Sequence, residues 1–154
     1  MTSSDNSKAW DIAKSIGVCF LSTGQNQYPM SAMVRQEENA IYFLTDAASQ
    51  KISEIGAGKA VQLTFSDKGS DEYLFIGGHA SVSNDRAKIS DLWSVFAKAW
   101  WDSADDPSIR LICVIPQQAE YWDGPNRLVA AGKMLFAAVT GGRPDMGDNR
   151  KTSM

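Results

Sequence analysis

The chain has 154 residues and carries 15 lysines and arginines against 18 aspartates and glutamates, for a formal net charge of −3. This acidic balance argues against bulk electrostatic binding to nucleic acid or to an anionic membrane. No apolar run approaches the roughly 20 residues that span a bilayer, and the amino terminus lacks the pattern of a signal peptide. We therefore expect a cytoplasmic, single-domain protein without a membrane partner.

The amino-terminal part of the sequence predicts one helix and three strands joined by close turns. Apolar residues recur at helical spacing over residues 9–16, Ser4 or Asn6 is suited to cap the start, and Gly17 follows the end. The predicted strands cover residues 18–23, 28–36 and 40–45. Pro29 indicates that the second of them begins at a sheet edge.

The middle of the sequence predicts a short helix and three longer strands. Residues 48–55 favour two helical turns that end at Gly56 and Gly58. The strands are predicted over residues 59–66, 72–83 and 109–117, and residues 119–123 form either a continuation of the last or a short strand of their own. Consecutive glycines, Gly77 and Gly78, indicate a bulge or kink in the second of these strands.

The strongest helical pattern begins at Asp85, where one continuous apolar face extends to Trp100. Its members are Ile89, Leu92, Trp93, Phe96, Ala97 and Trp100. The shared face predicts that Trp93 and Trp100 lie in the core or at a dimer interface. A further helix is predicted over residues 128–139, and residues 141–154 are predicted to form a tail that stays mobile unless a partner covers it.

Six short strands joined largely by hairpins, with helices inserted between them, predict a mainly β fold with flanking helices. The predicted architecture is an antiparallel barrel. A doubly wound parallel sheet would need a helix after nearly every strand, and this sequence has hairpin turns instead.

One candidate anion site lies in residues 45–51, TDAASQK, ahead of the short helix. Ser49 or Asp46 is suited to cap that helix, whose free N–H groups would face an anion with Lys51 in the first turn. The alternative is an ordinary cap with a solvated lysine. The nearby IGAGK, residues 55–59, lacks the order and the following Ser or Thr of a phosphate-binding loop, and we interpret it as a helix end.

Two kinds of residue remain as weaker candidates. Trp101 lies one residue off the apolar helix face, and Trp122 lies before a turn. Tryptophan is frequent at interfaces and at the edges of ligand sites, so both residues are candidates for a functional role. Cys19 and Cys113 lie in apolar runs typical of buried thiols, and with the single histidine, His79, they are too few for a structural zinc site. No catalytic acid or base can be named.

Several stretches of the sequence occur together, in order, in one known family. They are residues 29–34 (PMSAMV), 41–45 (IYFLT), 49–55 (SQKISEI), 85–93 (DRAKISDLW), 97–101 (AKAWW), 105–107 (DDP), 119–123 (AEYWD) and 147–151 (GDNRK). In this combination the chain resembles the general stress protein 26 group of the pyridoxamine 5′-phosphate oxidase-like, FMN-binding split-barrel superfamily.

The resemblance implies a six-stranded antiparallel split barrel of Greek-key type that forms a homodimer with FMN, or alternatively FAD, at the interface. It implies a single flavin-binding domain over residues 1–140 and a tail over residues 141–154 that covers the dimer interface. The implied cofactor-binding residues are Met33, Val34, Leu44, Thr45, Ser49, Gln50, Lys51, Trp101 and Trp122. Among them Thr45, Ser49 and Lys51 would hold the phosphate, Met33 and Val34 would line the ring with their backbone, and Trp122 would lie near the flavin.

The sequence departs from the family pattern in two places. Ala32 stands where the group often carries a phosphate-binding arginine, and Arg35 points elsewhere if that strand alternates regularly. The missing contact would weaken FMN binding by about 1.5–3 kcal/mol. No histidine follows His79, whereas true pyridoxamine phosphate oxidases carry a carboxy-terminal Arg-x-His, so vitamin B6 oxidation is not expected.

The resemblance leaves three functional alternatives. The first is a flavin-binding general stress protein that reduces or oxidises a small molecule, with a nicotinamide donor. The second is a flavin store, sensor or scavenger without turnover. The third is a barrel that binds single-stranded nucleic acid by stacking. It ranks last because residues 100–126 hold four Asp and one Glu against one Arg.

Overall fold

The fold is described from a computed structural model in which residues 3–124 and 148–154 are defined. The helices are α1 (Ser3–Ile16), α2 (Gln50–Ile55) and α3 (Arg86–Leu92), with short 3₁₀ helices at Gln36–Glu38 and Val95–Ala99. The strands are β1 (Val18–Ser22), β2 (Gln27–Ser31), β3 (Met33–Arg35), β4 (Ala40–Asp46), β5 (Lys59–Asp67), β6 (Glu72–Ser83), β7 (Ile109–Asp123) and β8 (Asp148–Ser153). Within the defined ranges, no helix is long and apolar enough to cross a membrane.

One antiparallel sheet contains all eight strands, in the order β2-β1-β5-β6-β7-β4-β3, with β8 added on β7. β2 and β3 lie at opposite ends of this order, yet only Ala32 separates them in the chain. Because one residue spans at most about 3.6 Å, the two ends of the sheet must meet, and the sheet curls into a barrel. The predicted mainly β split barrel is therefore confirmed.

The strand count differs from the six that the sequence predicted. The predicted second strand, residues 28–36, breaks at Ala32, whose N–H donates to the carbonyl of Gly17 at 2.8 Å, and its two halves join different ends of the sheet. The eighth strand, β8, lies in the predicted tail. Its sequence, DNRKTS, has low strand propensity, but pairing with β7 overrides that preference.

The main core lies inside the barrel, between the inner face of the sheet and α1. The alternation in β5 shows how the sequence builds it: Val61, Leu63 and Phe65 are buried, and the residues between them are exposed. Gly17, at a φ of +73°, ends α1 and turns the chain into β1. As predicted, Gly77 and Gly78 mark a bulge between β6 and β7.

A smaller cluster lies on the outer face of the sheet, where α3 covers β4 and the start of β7. Its buried members are Ala40, Tyr42, Ile89, Leu92, Ile109 and Leu111. The other half of the outer face is left uncovered by α3. Four partly exposed apolar side chains lie there, and we call them the open face: Val18 (57% exposed), Phe20 (50%), Tyr73 (38%) and Trp122 (42%). A groove of about 280 Å³ lined by residues of β1, β2 and β5 lies beside Phe20.

The long helix predicted from Asp85 to Trp100 is wrong in its second half. α3 ends at Leu92, Trp93 takes an extended conformation, and Trp100 is 80% exposed, so Trp100 is not a core residue. Residues 93–96 all have only moderate helix propensity. Arg86 in addition draws the later loop close to α3, because its guanidinium donates to the carbonyls of Ala104, Asp106 and Ile109.

The remaining predictions concern the strand over residues 109–123, the two cysteines and the last predicted helix. The run over residues 109–123 is one continuous strand, β7. Cys19 is buried, and burial raises its pKa to about 12, whereas Cys113 is half-buried in the outer cluster. The helix predicted over residues 128–139 lies outside the described residues.

Candidate functional site

The residues predicted to hold an anion meet at the end of β4. Lys51 Nζ donates to Ser49 Oγ at 2.8 Å and to Thr45 Oγ1 at 3.1 Å, and it lies 5.1 Å from the centre of the Tyr28 ring. Burial lowers the pKa of Lys51. Within the part of the chain that the structure describes, no carboxylate lies within 4 Å of this ammonium group. The site therefore holds a half-buried positive charge that these residues leave without an ion-pair partner.

Ser49 is the residue that caps α2, as one of the two predicted alternatives, but its side chain makes no cap bond. The helix begins at Gln50 rather than at residue 48. The Ser49 hydroxyl is engaged by Lys51 instead. Asp46 accepts from the N–H of Ala48 at 2.8 Å, which shapes the turn before the helix. The hydroxyls of Thr45 and Ser49 thus support Lys51 directly.

Glu54 fixes α2, and with it Lys51, against the β1–β2 hairpin. Its carboxylate accepts from Thr23 Oγ1, from Tyr28 Oη at 2.7 Å and from Asn26 Nδ2 at 3.0 Å. The bond from Thr23 and then the bond from Tyr28 are the largest causes that lower the pKa of Glu54. Because Tyr28 contacts both Glu54 and Lys51, this network sets the distance between α2 and β2.

We expect Glu54→Gln to remove a pH-dependent part of the stability. The pKa of Glu54 is lower in the folded protein than its ordinary value of 4.5, so its contribution is fully present above that value and is lost as the pH falls through the folded pKa. The melting temperature of the wild type should exceed that of Glu54→Gln near pH 7, and the difference should shrink below pH 4.5. An equal difference at pH 7 and pH 3 would contradict the assignment.

Three apolar residues of the predicted set lie on the outer face of the sheet. Met33, Leu44 and Trp101 pack against the outer cluster, and Leu44, although it directly precedes Thr45 in β4, lies on the opposite face of that strand from Thr45. Val34 packs on the inner core, one residue from Met33 on the opposite side of β3. The exposed Gln50 is the first residue of α2. Most of the predicted cofactor-binding residues therefore lie at the β3, β4 and α2 end of the barrel.

Trp122 lies apart from this group within the same chain. Leu111 of β7 is the partner of Leu44, and Trp122 follows eleven residues later in the same strand. At roughly 3.3 Å per residue, the two are separated by roughly 36 Å of strand. Trp122 is on the open face, opposite Tyr73 of β6 and Asn149 of β8. A pocket containing both Trp122 and Lys51 is therefore not formed by neighbouring strands of one copy.

Sequence reasoning missed Tyr28 and Glu54 at this site. The sequence pattern indicates a strand at Tyr28 and a helix at Glu54 and no more. Their contact depends on the curl of the sheet, which brings α2, the helix after β4, against Tyr28 of β2. No local pattern reports such a contact between residues 26 positions apart.

Comparisons with known proteins agree with this fold. Residues 4–145 match the family described as pyridoxamine 5′-phosphate oxidase like. A crystal structure assigned to general stress protein 26 from Jannaschia sp. CCS1 has a TM-score of 0.87 at 25% identity, covering 99% of this chain and 100% of that chain. General stress protein 26 from Bacillus anthracis str. Sterne has a TM-score of 0.66 at 25% identity, with 75% and 91% covered.

A fourth comparison concerns a protein whose ligand class is known. The general stress FMN/FAD binding protein from the phytopathogen Xanthomonas citri has a TM-score of 0.71 at 26% identity, covering 79% of this chain and 90% of that chain. None of the curated proteins matches the sequence.

Proposed function

Because the chain belongs to the pyridoxamine 5′-phosphate oxidase-like family, we propose that it is a flavin-binding protein of the general stress type, with FMN as its cofactor. The observation that carries the proposal is the Lys51 ammonium, which is half-buried, bonded to two hydroxyls and, in the described chain, without a carboxylate within 4 Å, while Asp46 and Glu54 act on it from farther away. A phosphate monoester carries roughly 1.5 to 2 negative charges at neutral pH. It would supply the missing countercharge, and the Thr45 and Ser49 hydroxyls would donate to its oxygens.

The apolar residues at this end of the barrel suit the flat part of the same ligand. Met33, Leu44 and Trp101 pack on the outer face of the sheet, whereas Thr45 shares the inner face with Phe43, so the ring system would lie across the end of β4 from the phosphate. Ligand pockets commonly combine such an apolar lining with a few placed polar groups. FMN is favoured over FAD because its phosphate is terminal and carries the full monoester charge.

A homodimer would bring the remaining predicted residue to the site. Trp122 and Lys51 lie at distant places in one chain, so Trp122 would reach the flavin from the second copy. The open face supports this arrangement, because four large apolar side chains are between 38 and 57% exposed there. Apolar patches of this kind commonly mark interfaces between protein chains. The site is then complete only in the dimer.

The chemistry of the bound flavin would be transfer of electrons to or from a small molecule. The described residues would bind the phosphate, orient the ring and keep water from it. We propose that the cytoplasmic protein turns over with a nicotinamide donor. Flavin storage or sensing is the second candidate, and it is favoured because the other titratable groups of the site, Tyr28 and Glu54, are hydrogen-bonded to each other.

The first experiment is a visible absorption spectrum of the purified protein, followed by heat release and chromatography of any bound chromophore. We expect flavin absorption bands and released FMN, and, after reconstitution, tighter binding of FMN than of riboflavin. Reduction by NADH or NADPH faster than free flavin would support the oxidoreductase, and reduction at the free-flavin rate would support storage. A colourless protein that does not bind added FMN, FAD or riboflavin would overturn the proposal.

A further inference from the structure

Lys51 supplies one positive charge, whereas a phosphate monoester carries roughly 1.5 to 2 negative charges at neutral pH. A site whose positive charge matches that of the phosphate therefore needs a second cation near Lys51. Arg110 of β7 is directly opposite Thr45 of β4 in the sheet register. Partners in an antiparallel pair present their side chains on the same face, with Cβ atoms about 4.5–5.5 Å apart. The Arg110 side chain therefore begins beside one of the two hydroxyls that bind Lys51.

The backbone keeps the two segments together beyond the strands. The N–H of Ala47 donates to the carbonyl of Ser108 at 2.7 Å, so the connection from β4 to α2 runs alongside the start of β7. One edge of the Arg110 guanidinium is fixed there as well. Its Nη1 donates to the carbonyls of Pro107 at 2.7 Å and Ile109 at 3.0 Å. The same Nη1 also donates to Asn84 Oδ1, ahead of α3, at 3.4 Å, so the arginine is held at the start of β7.

The other edge of this guanidinium is available to a ligand. In residues 3–124 and 148–154, neither Nε nor Nη2 of Arg110 has a hydrogen-bond acceptor, and no carboxylate lies within 4 Å. Nε and Nη2 together form the planar fork that binds two oxygens of one phosphate. The nearby Arg86 differs, because both of its terminal nitrogens already donate to backbone carbonyls.

We propose that Arg110 is a second phosphate-binding residue, which contributes its Nε and Nη2 to the same anion that Lys51 and the Thr45 and Ser49 hydroxyls hold. This inference rests on the proposed flavin function and adds to it a specific cation from β7. Because a terminal phosphate carries more negative charge than each phosphate of a diphosphate bridge, the Arg110 guanidinium would favour the terminal one. It would therefore contribute to the preference for FMN over both riboflavin and FAD.

The test compares Arg110→Gln and Arg110→Lys with the matched control Arg35→Gln, using titrations of FMN and of riboflavin followed by flavin fluorescence. For Arg110→Gln we expect FMN to bind roughly tenfold more weakly or worse, and riboflavin to bind within about twofold of the wild type. Arg110→Lys keeps the charge but not the fork, and we expect an intermediate loss for FMN alone. Arg35→Gln should leave both affinities unchanged.

Equal losses for FMN and riboflavin would overturn the inference, because they would show that Arg110 only anchors the start of β7. Unchanged FMN affinity in both Arg110 variants, or a loss confined to Arg35→Gln, would overturn it too. If Arg110→Gln does not fold, as judged by its melting curve, Arg110→Lys decides between these outcomes. A wild-type protein that binds neither flavin would overturn the proposed function itself, and this inference with it.

Discussion

Replacing Lys51 by methionine is expected to weaken FMN binding by roughly ten- to a hundredfold, while riboflavin binding stays within about twofold of the wild type. The substitution keeps the length and most of the apolar stem but removes the ammonium group that lies between the Thr45 and Ser49 hydroxyls. Riboflavin has no phosphate, so the loss of the ammonium group should weaken the binding of FMN and not that of riboflavin. Titration of each flavin into the purified protein gives both affinities.

The matched control is Lys68→Met, because Lys68 is an exposed lysine in the turn between β5 and β6. It should leave both affinities unchanged, which would show that net charge alone does not account for the effect. Equal weakening of FMN and riboflavin by Lys51→Met would contradict the phosphate role and indicate a loss of local structure instead.

The same assignment predicts the direction of a pH effect. Burial lowers the pKa of Lys51 in the free protein, and a bound phosphate would raise it again by stabilising the ammonium form. FMN affinity should therefore fall as the pH rises through the pKa of free Lys51. The affinity of Lys51→Met should lack that component of the pH dependence.

Features that depend on neighbouring residues were predictable from the sequence. The alternation in β5, the bulge at Gly77 and Gly78, and the helix end at Gly17 each follow from the chemistry of one or two adjacent residues. The same holds for the hydroxyls and the lysine of the TDAASQK stretch, which lie within seven residues of one another. Local spacing was enough to bring these three groups together.

Features that depend on the closure of the barrel were not predictable in this way. The sequence does not show that Ala32 connects opposite ends of the sheet, or that Tyr28 therefore contacts Lys51. The sequence does not indicate a role for Arg110, because Arg110 is related to Thr45 by the pairing of β7 with β4, and the two residues are 65 positions apart in the chain. Helical periodicity also continued past Leu92, where the backbone leaves the helix.

Trp122→Ala is expected to weaken dimerisation and flavin binding together. Trp122 is 42% exposed on the open face and contributes no contact to the Lys51 group of its own chain, so in the proposed dimer it would be a central interface residue. Truncation of such a tryptophan commonly costs about 2 kcal/mol or more, which corresponds to roughly thirtyfold in affinity. Sedimentation velocity measures the dimer, and a fluorescence titration measures the flavin.

The two losses should be coupled, because a flavin held between two copies stabilises the dimer by mass action. Saturating FMN should therefore partly restore the Trp122→Ala dimer, and Trp122→Phe, which keeps an aromatic ring, should restore much of both properties. Trp100→Ala tests one of the two tryptophans predicted to lie in the core or at a dimer interface, at the exposed end of the second 3₁₀ helix. If Trp122→Ala leaves both dimerisation and flavin affinity unchanged, the open face is not the interface, and Trp122 does not reach the flavin from a second copy.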